Sequence, residues 1–279
     1  MLFRNYWLMV LAAVLTGLPA QADELTAVTT APPAQVSLTT TNFWFPVGEE
    51  LVYHAHWGLF YVAETRTTVN WTNHQGRDLL VVRIRTKSNA VISTIYPVDD
   101  LVETLIDPHT FLPVSFAKTL NEGRYHTDEI TEFDHAAGKA YWHNRKKNER
   151  REFAIESDTR DIVSLMYWLR REPFKPGQTR EFRVMADEKL YDLFVRVMAN
   201  EELDNESYGA IKTSRIEPDA AFQGLFVRKG KLTLWVTRDE RRIMAKVLAV
   251  IPVANVRIHL AEVLGPGNDG WVKNKGEKP

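Results

Sequence analysis

The sequence predicts a mainly β protein: a single large antiparallel sheet, curled into an open or closed barrel, with one prominent α-helix against it. Three observations carry this. Several runs alternate apolar and polar residues. In Lys231 to Val236, for example, Leu232, Leu234 and Val236 oppose Lys231, Thr233 and Trp235, the period of a sheet with two unlike faces. Turn-forming stretches separate these runs, and short connections join antiparallel neighbours. Only residues 158–171 show clear helical spacing. A large antiparallel sheet curls rather than staying flat, which leads to the barrel.

The chain opens with Arg4, an apolar core at 6–15, breakers at Gly17 and Pro19, and Ala20-Gln21-Ala22. This reads as an export signal over 1–22, cut after Ala22, which would deliver the protein to the periplasm. Its core of about ten residues is short of the roughly 20 that span a bilayer. Residues 23–42, rich in Thr, Ala and Pro, read as a flexible linker, and 265–279 as a flexible tail. The β domain covers 43–264. Within it, Arg77 to Ser88 is an alternating strand after a turn at Asn73 to Gly76. Residues 123–133 and 140–155 form further hairpin strands around Gly138 and a basic tip. The run from Ile243 to Leu264 returns as long extended chain, with Pro252 marking a bulge, edge or bend. Phe45 to Tyr53 and Phe174 to Phe182 both carry Pro and Gly just before a strand, the usual turn entry. In the helix, Asp158 is placed as N-cap with Asp161 in the first turn. Ile162, Leu165, Met166 and Leu169 share one face, a stripe that packs on the sheet. Arg170 and Arg171 suit the C-terminal end, and Pro173 stops it.

The chain contains no cysteine. That excludes disulfides, thiol catalysis, thiolate metal sites and lipid attachment at a cysteine. The formal charge is -1, and loss of the signal removes Arg4 only, so the mature chain is one unit more negative. No nucleic-acid partner is implied, since such binders are usually basic. The sequence has no G-x-S-x-G, S-x-x-K, H-E-x-x-H, P-loop or G-x-G-x-x-G motif. It implies no cofactor and assigns no catalytic residue.

The acid-rich stretch Tyr96-Pro97-Val98-Asp99-Asp100 to Asp107 reads as strand entry at Pro97 with solvated acids, or else as a binding rim, with Tyr96, Asp99, Asp100, Glu103 and, further up the chain, Trp57 as candidate ligand contacts. On a strand, Asp99 and Asp100 point to opposite faces. Asp99 and Glu103 share a face but lie about 13 Å apart, beyond the roughly 5–9.5 Å of a glycosidase pair. A hydrolase therefore requires a second acid from another strand. His54 and His56, two apart on one strand face, are weak metal candidates that lack a third ligand. Arg145, Lys146, Lys147, Arg150 and Arg151 crowd one hairpin tip, either a solvated turn or a contact for anionic headgroups.

Several stretches resemble a bacterial family of exported domains of unknown function, the DUF3108 family: Gly48 to Glu64, Ile95 to Pro108, Leu112 to Asp134, Asp161 to Arg170, Pro173 to Phe182 and Lys229 to Val247. The segment after Gly58 departs from the small-residue run of the family, carrying Phe60 and Tyr61. The resemblance implies an envelope-located antiparallel β domain and no reaction. The curled sheet is also similar to the half-barrels of envelope lipid carriers, a likeness of fold. Three functions are compatible with these readings. The first is a non-enzymatic binding or envelope-assembly factor with an apolar concavity for lipid or another apolar ligand. The others are a carboxylate-dependent hydrolase of envelope glycan and a scaffold that recruits envelope proteins through an open sheet edge.

Overall fold

The computed structural model describes residues 43–186, 188–222, 225–226, 231–251 and 254–273. The predicted signal peptide, the linker and residues 274–279 lie outside them. The first half of the domain is a meander: β1 (Glu50–Trp57), β2 (Phe60–His74), β3 (Arg77–Ser88), a one-turn helix α1 (Ala90–Ser93), β4 (Asp99–Ile106), β5 (Pro113–Glu122), β6 (Tyr125–Asp134), β7 (Lys139–Asn144) and β8 (Glu149–Ala154). A two-residue strand β9 (Arg160–Asp161) then leads directly into helix α2 (Ile162–Leu169). The second half is again strand: β10 (Thr179–Ala186), β11 (Lys189–Asn205), β12 (Gly209–Phe222), β13 (Leu225–Phe226), β14 (Lys231–Thr237), β15 (Met244–Ile251) and β16 (Ala254–Leu264).

All these strands belong to one sheet, in the order β8-β7-β6-β5-β4-β3-β2-β1-β16-β15-β14-β12-β11-β10-β9, with β13 beside β12. Every pairing is antiparallel except β9 with β10. The run from Ile243 to Leu264 is two strands, not one extended segment: Ile251 pairs Ala254, closing a hairpin. Pro252 falls outside the described residues. Gly48 and Gly177 take positive φ just before β1 and β10, as the Pro-Gly turns require. The helix begins later than its spacing predicts. Residues 160–161 are first held in the sheet by Val184 and Met185 of β10, so Asp161, not Asp158, is the N-cap.

The sheet curls until it overlaps itself. Laid flat, β4 and β9 would be ten strand spacings apart, about 48 Å. Instead the Thr104 hydroxyl donates to Asp161 Oδ1 at 3.0 Å. β10 thus lies inside the arc of β4–β8. Its Val184 faces the interior with Leu165, while Met185 on its other face packs against Phe133 and Trp142 of β6 and β7. The sheet overlaps itself along this side-chain seam without closing into a barrel: among the described residues no ladder joins its two edges.

Candidate functional site

Strand alternation places Leu51, Tyr53, Ala55 and Trp57 of β1 on the concave face, and His54 and His56 on the outer one. Helix α2 lies across one end of this concavity. Between helix and sheet is a cavity of about 100 Å³, walled by Ile162, Leu165, Met166 and Leu169 on the helix side and by Leu193, Val195, Ile216, Val247 and Ile258 on the sheet side. Its polar fringe is Tyr53, Thr65 and Thr67. Burial drives the Tyr53 phenol far above its usual pKa, so it stays neutral. The helical stripe read from the sequence is therefore both core and chamber wall. A larger depression, about 1440 Å³, lies at the end of the barrel near Phe43, Trp44, Trp71 and Arg241, and is open to solvent.

Both ends of the helix are tied down by buried polar groups. Asp161 Oδ1 accepts from the amides of Val163 and Ser164 at 2.7 and 3.0 Å, satisfying first-turn donors. The Arg160 guanidinium donates to the carbonyl of Phe111, between β4 and β5, and lies 4.1 Å from the ring centre of Trp168. At the other end, Arg170 forks onto Glu49 at 2.5 and 3.0 Å, and Arg241 reaches the same carboxylate at 2.6 Å. Burial alone would raise the Glu49 pKa, but the guanidinium groups of Arg170 and Arg241 outweigh it and hold the carboxyl below its ordinary value. Glu49 and Arg241 escaped the sequence reading. The only signal was an acid placed one residue before an alternating strand.

The acid-rich stretch divides as the alternation predicts. Asp99 points outward to Arg85 and Lys87, and Glu103 to Arg83, as half-exposed ion pairs. These two are surface charges with partners. Asp100 points inward and is buried. It accepts from the Asn121 amide at 2.8 Å and shares a hydrogen bond with Glu122 of β5. Tyr96 lies against Gly123, where an added Cβ would sit 2.8 Å from its ring. Desolvation pushes the Asp100 pKa up to about 6, with Asp99 adding to it, against the opposing hydrogen bonds from Asn121 and Glu122. The second acid that a hydrolase requires is thus present, but in hydrogen-bond contact rather than about 5 Å away or more, so no sugar or water fits between the carboxyls as in a glycosidase. Glu122 was missed, although it shares a strand face with Leu120, two residues before it.

Trp57 packs against the core cluster beside Ile92. His56 and His259 rings approach to 5.7 Å on the outer face, yet among the described residues no three His, Cys, Asp or Glu side chains are placed to hold a metal. Burial lowers the pKa of His259 to about 4 and lowers that of His56. In the basic hairpin, Arg145 is paired with Asp128 and Arg151 with Glu188, leaving Lys146, Lys147 and Arg150 as exposed tip charges.

A self-overlapping antiparallel barrel with a helix across one end defines a β-barrel-like domain. The chain belongs to the DUF3108 family, described as a protein of unknown function, whose model matches residues 52–261. A beta-barrel-like protein of another domain of unknown function, DUF1849, from Brucella abortus superposes with a TM-score of 0.51 at 9% identity, over 82% of this chain and 99% of that one. It shares the fold alone. A candidate lipoprotein from Parabacteroides distasonis reaches a TM-score of 0.35 at 8% identity, over 80% of this chain and 98% of that one, too low to bear on fold or function. No curated protein gives a significant match.

Proposed function

We propose that the protein is a non-enzymatic binding factor of the bacterial envelope, exported to the periplasm, whose chamber takes an apolar group such as the end of an acyl chain. The observation that carries this reading is the cavity between α2 and the sheet, whose walls are almost wholly apolar. Apolar cavities of this order stay dry and accept small apolar molecules. At about 100 Å³ it holds a chain end and not a whole lipid. Met166 and Met244 border it, and unbranched methionines re-pack to enlarge such a space. The export pattern at 1–22 supports the location. The scaffold reading is less favoured. Edge strand β8 is exposed but carries Glu149, Arg150, Arg151 and Glu152, and charges of this kind block strand addition.

Native mass spectrometry of the protein mildly extracted from its host tests this. The wild type should carry an apolar adduct, and Met166→Trp, whose indole fills the chamber, should lose it. Folded wild type without any adduct would overturn the proposal.

A further inference from the structure

The turns at the end of the barrel away from α2 form a second surface. Because the strands alternate in direction, the connections β1–β2, β3–β4, β5–β6 and β7–β8 all emerge at one rim. The connections that α2 touches, at Phe111 and Arg241, emerge at the other. Neighbouring tips on this rim are two strands apart, about 10 Å.

The composition of the four tips is ordered. Of the five most exposed large apolar side chains among the described residues, four are here: Leu59 (87%), Ile95 (81%), Phe60 (75%) and Val91 (72%). Single exposed apolar residues need no explanation, but a contiguous group marks an interaction site. The two loops that carry these four are neighbours, because Asn89 donates from its amide to the carbonyl of Val62 and from its side chain to that of Tyr61, stitching the β3–β4 loop to the start of β2. The loop is held in shape. Asn89 caps α1, and Ile92 turns inward to the core while Val91 and Ile95 stay out. The next two tips are basic, with Arg124 between β5 and β6, and Lys146, Lys147 and Arg150 around the β7–β8 turn, all exposed. Over 145–151 the sole acid is Glu149.

We propose that this rim docks on an anionic bilayer surface, with Leu59, Phe60, Val91 and Ile95 entering the headgroup layer and the basic tips lying against anionic lipid. A protein partner would need a complementary apolar pocket beside acidic groups. A bilayer offers both terms side by side, an apolar layer beneath anionic headgroups, without a matched pocket. The docking stands apart from the chamber: it holds or fails whether or not α2 covers a ligand.

The test is co-sedimentation of the mature protein with vesicles of phosphatidylcholine alone and of phosphatidylcholine with phosphatidylglycerol, at low and high salt. Wild type should bind the anionic vesicles, more weakly as salt screens the charges. Replacing Lys146, Lys147 and Arg150 together by Ser should weaken that binding about a hundredfold and flatten its salt dependence. Leu59→Ser with Phe60→Ser should weaken it at both salt levels. All five positions are exposed, and circular dichroism will confirm that the variants fold. Wild type that stays in the supernatant, or both variants sedimenting as wild type, would overturn the proposal. So would inorganic phosphate releasing the protein more effectively than sodium chloride of equal ionic strength, because that would mark a discrete phosphate site.

Discussion

Asp100 is a buried carboxyl on the inner face of β4. Its folded pKa of about 6 lies above the ordinary carboxylate value, so between about pH 4 and pH 6 the folded state binds more protons than the unfolded one. Stability contributed by this group is therefore present at the acid end of that window and lost as pH rises through it, by up to about 3 kcal/mol. Asp100→Asn keeps a partner for Glu122 and for the Asn121 amide without the charge. Thermal melts should show the variant gaining on wild type between pH 4.5 and pH 7, whereas parallel curves would place the titration elsewhere. Beside it, Gly123 sits at φ +58 under the Tyr96 ring. Gly123→Ala should cost about 1–3 kcal/mol in urea unfolding, through backbone strain and a displaced ring. The sequence made the split of Asp99 from Asp100 legible, because alternation along a strand is local. It could not show Glu122, because the register between β4 and β5 brings the two acids together, and register is set by the packed sheet.

At the scale of the element, α2 is short, eight residues, and could not hold its form alone. Its position rests on the groups at its two ends. The Glu49 carboxylate, fully buried between Arg170 and Arg241, is the stronger tie. Glu49→Gln leaves two buried guanidinium groups without their counter-ion and should cost about 3–5 kcal/mol. The double variant with Arg170→Gln should cost less than the two single losses added, since each single change already breaks the shared fork. Urea titration of the four proteins decides this, and strict additivity would show that the ion pair is not what ties the helix. The apolar stripe of α2 was readable from spacing. Its start was not, because Arg160 and Asp161 are drawn into a parallel bridge with a strand that comes later in the chain.

For the whole molecule, the mainly β class and the curl followed from alternation and short turns, and the sheet has both. The sequence left open whether the barrel closes. The sheet does not close but overlaps itself, with Met185 packing on Phe133 and Trp142, a contact between strands far apart in the chain that no local pattern announces. The first strand also pairs with the last, Glu50 opposite Leu264, in the middle of the sheet, while both edges come from the centre of the chain. The order of assembly follows from this. The two halves of the sheet can each zip up from their hairpins, but the join between them waits until β16 has been made and delivered. Pairings over so long a separation form slowly. Until then β1 presents one row of unpaired amides and carbonyls, open to strand addition by other chains. A newly made copy therefore passes through a period of exposure that ends only when β16 pairs.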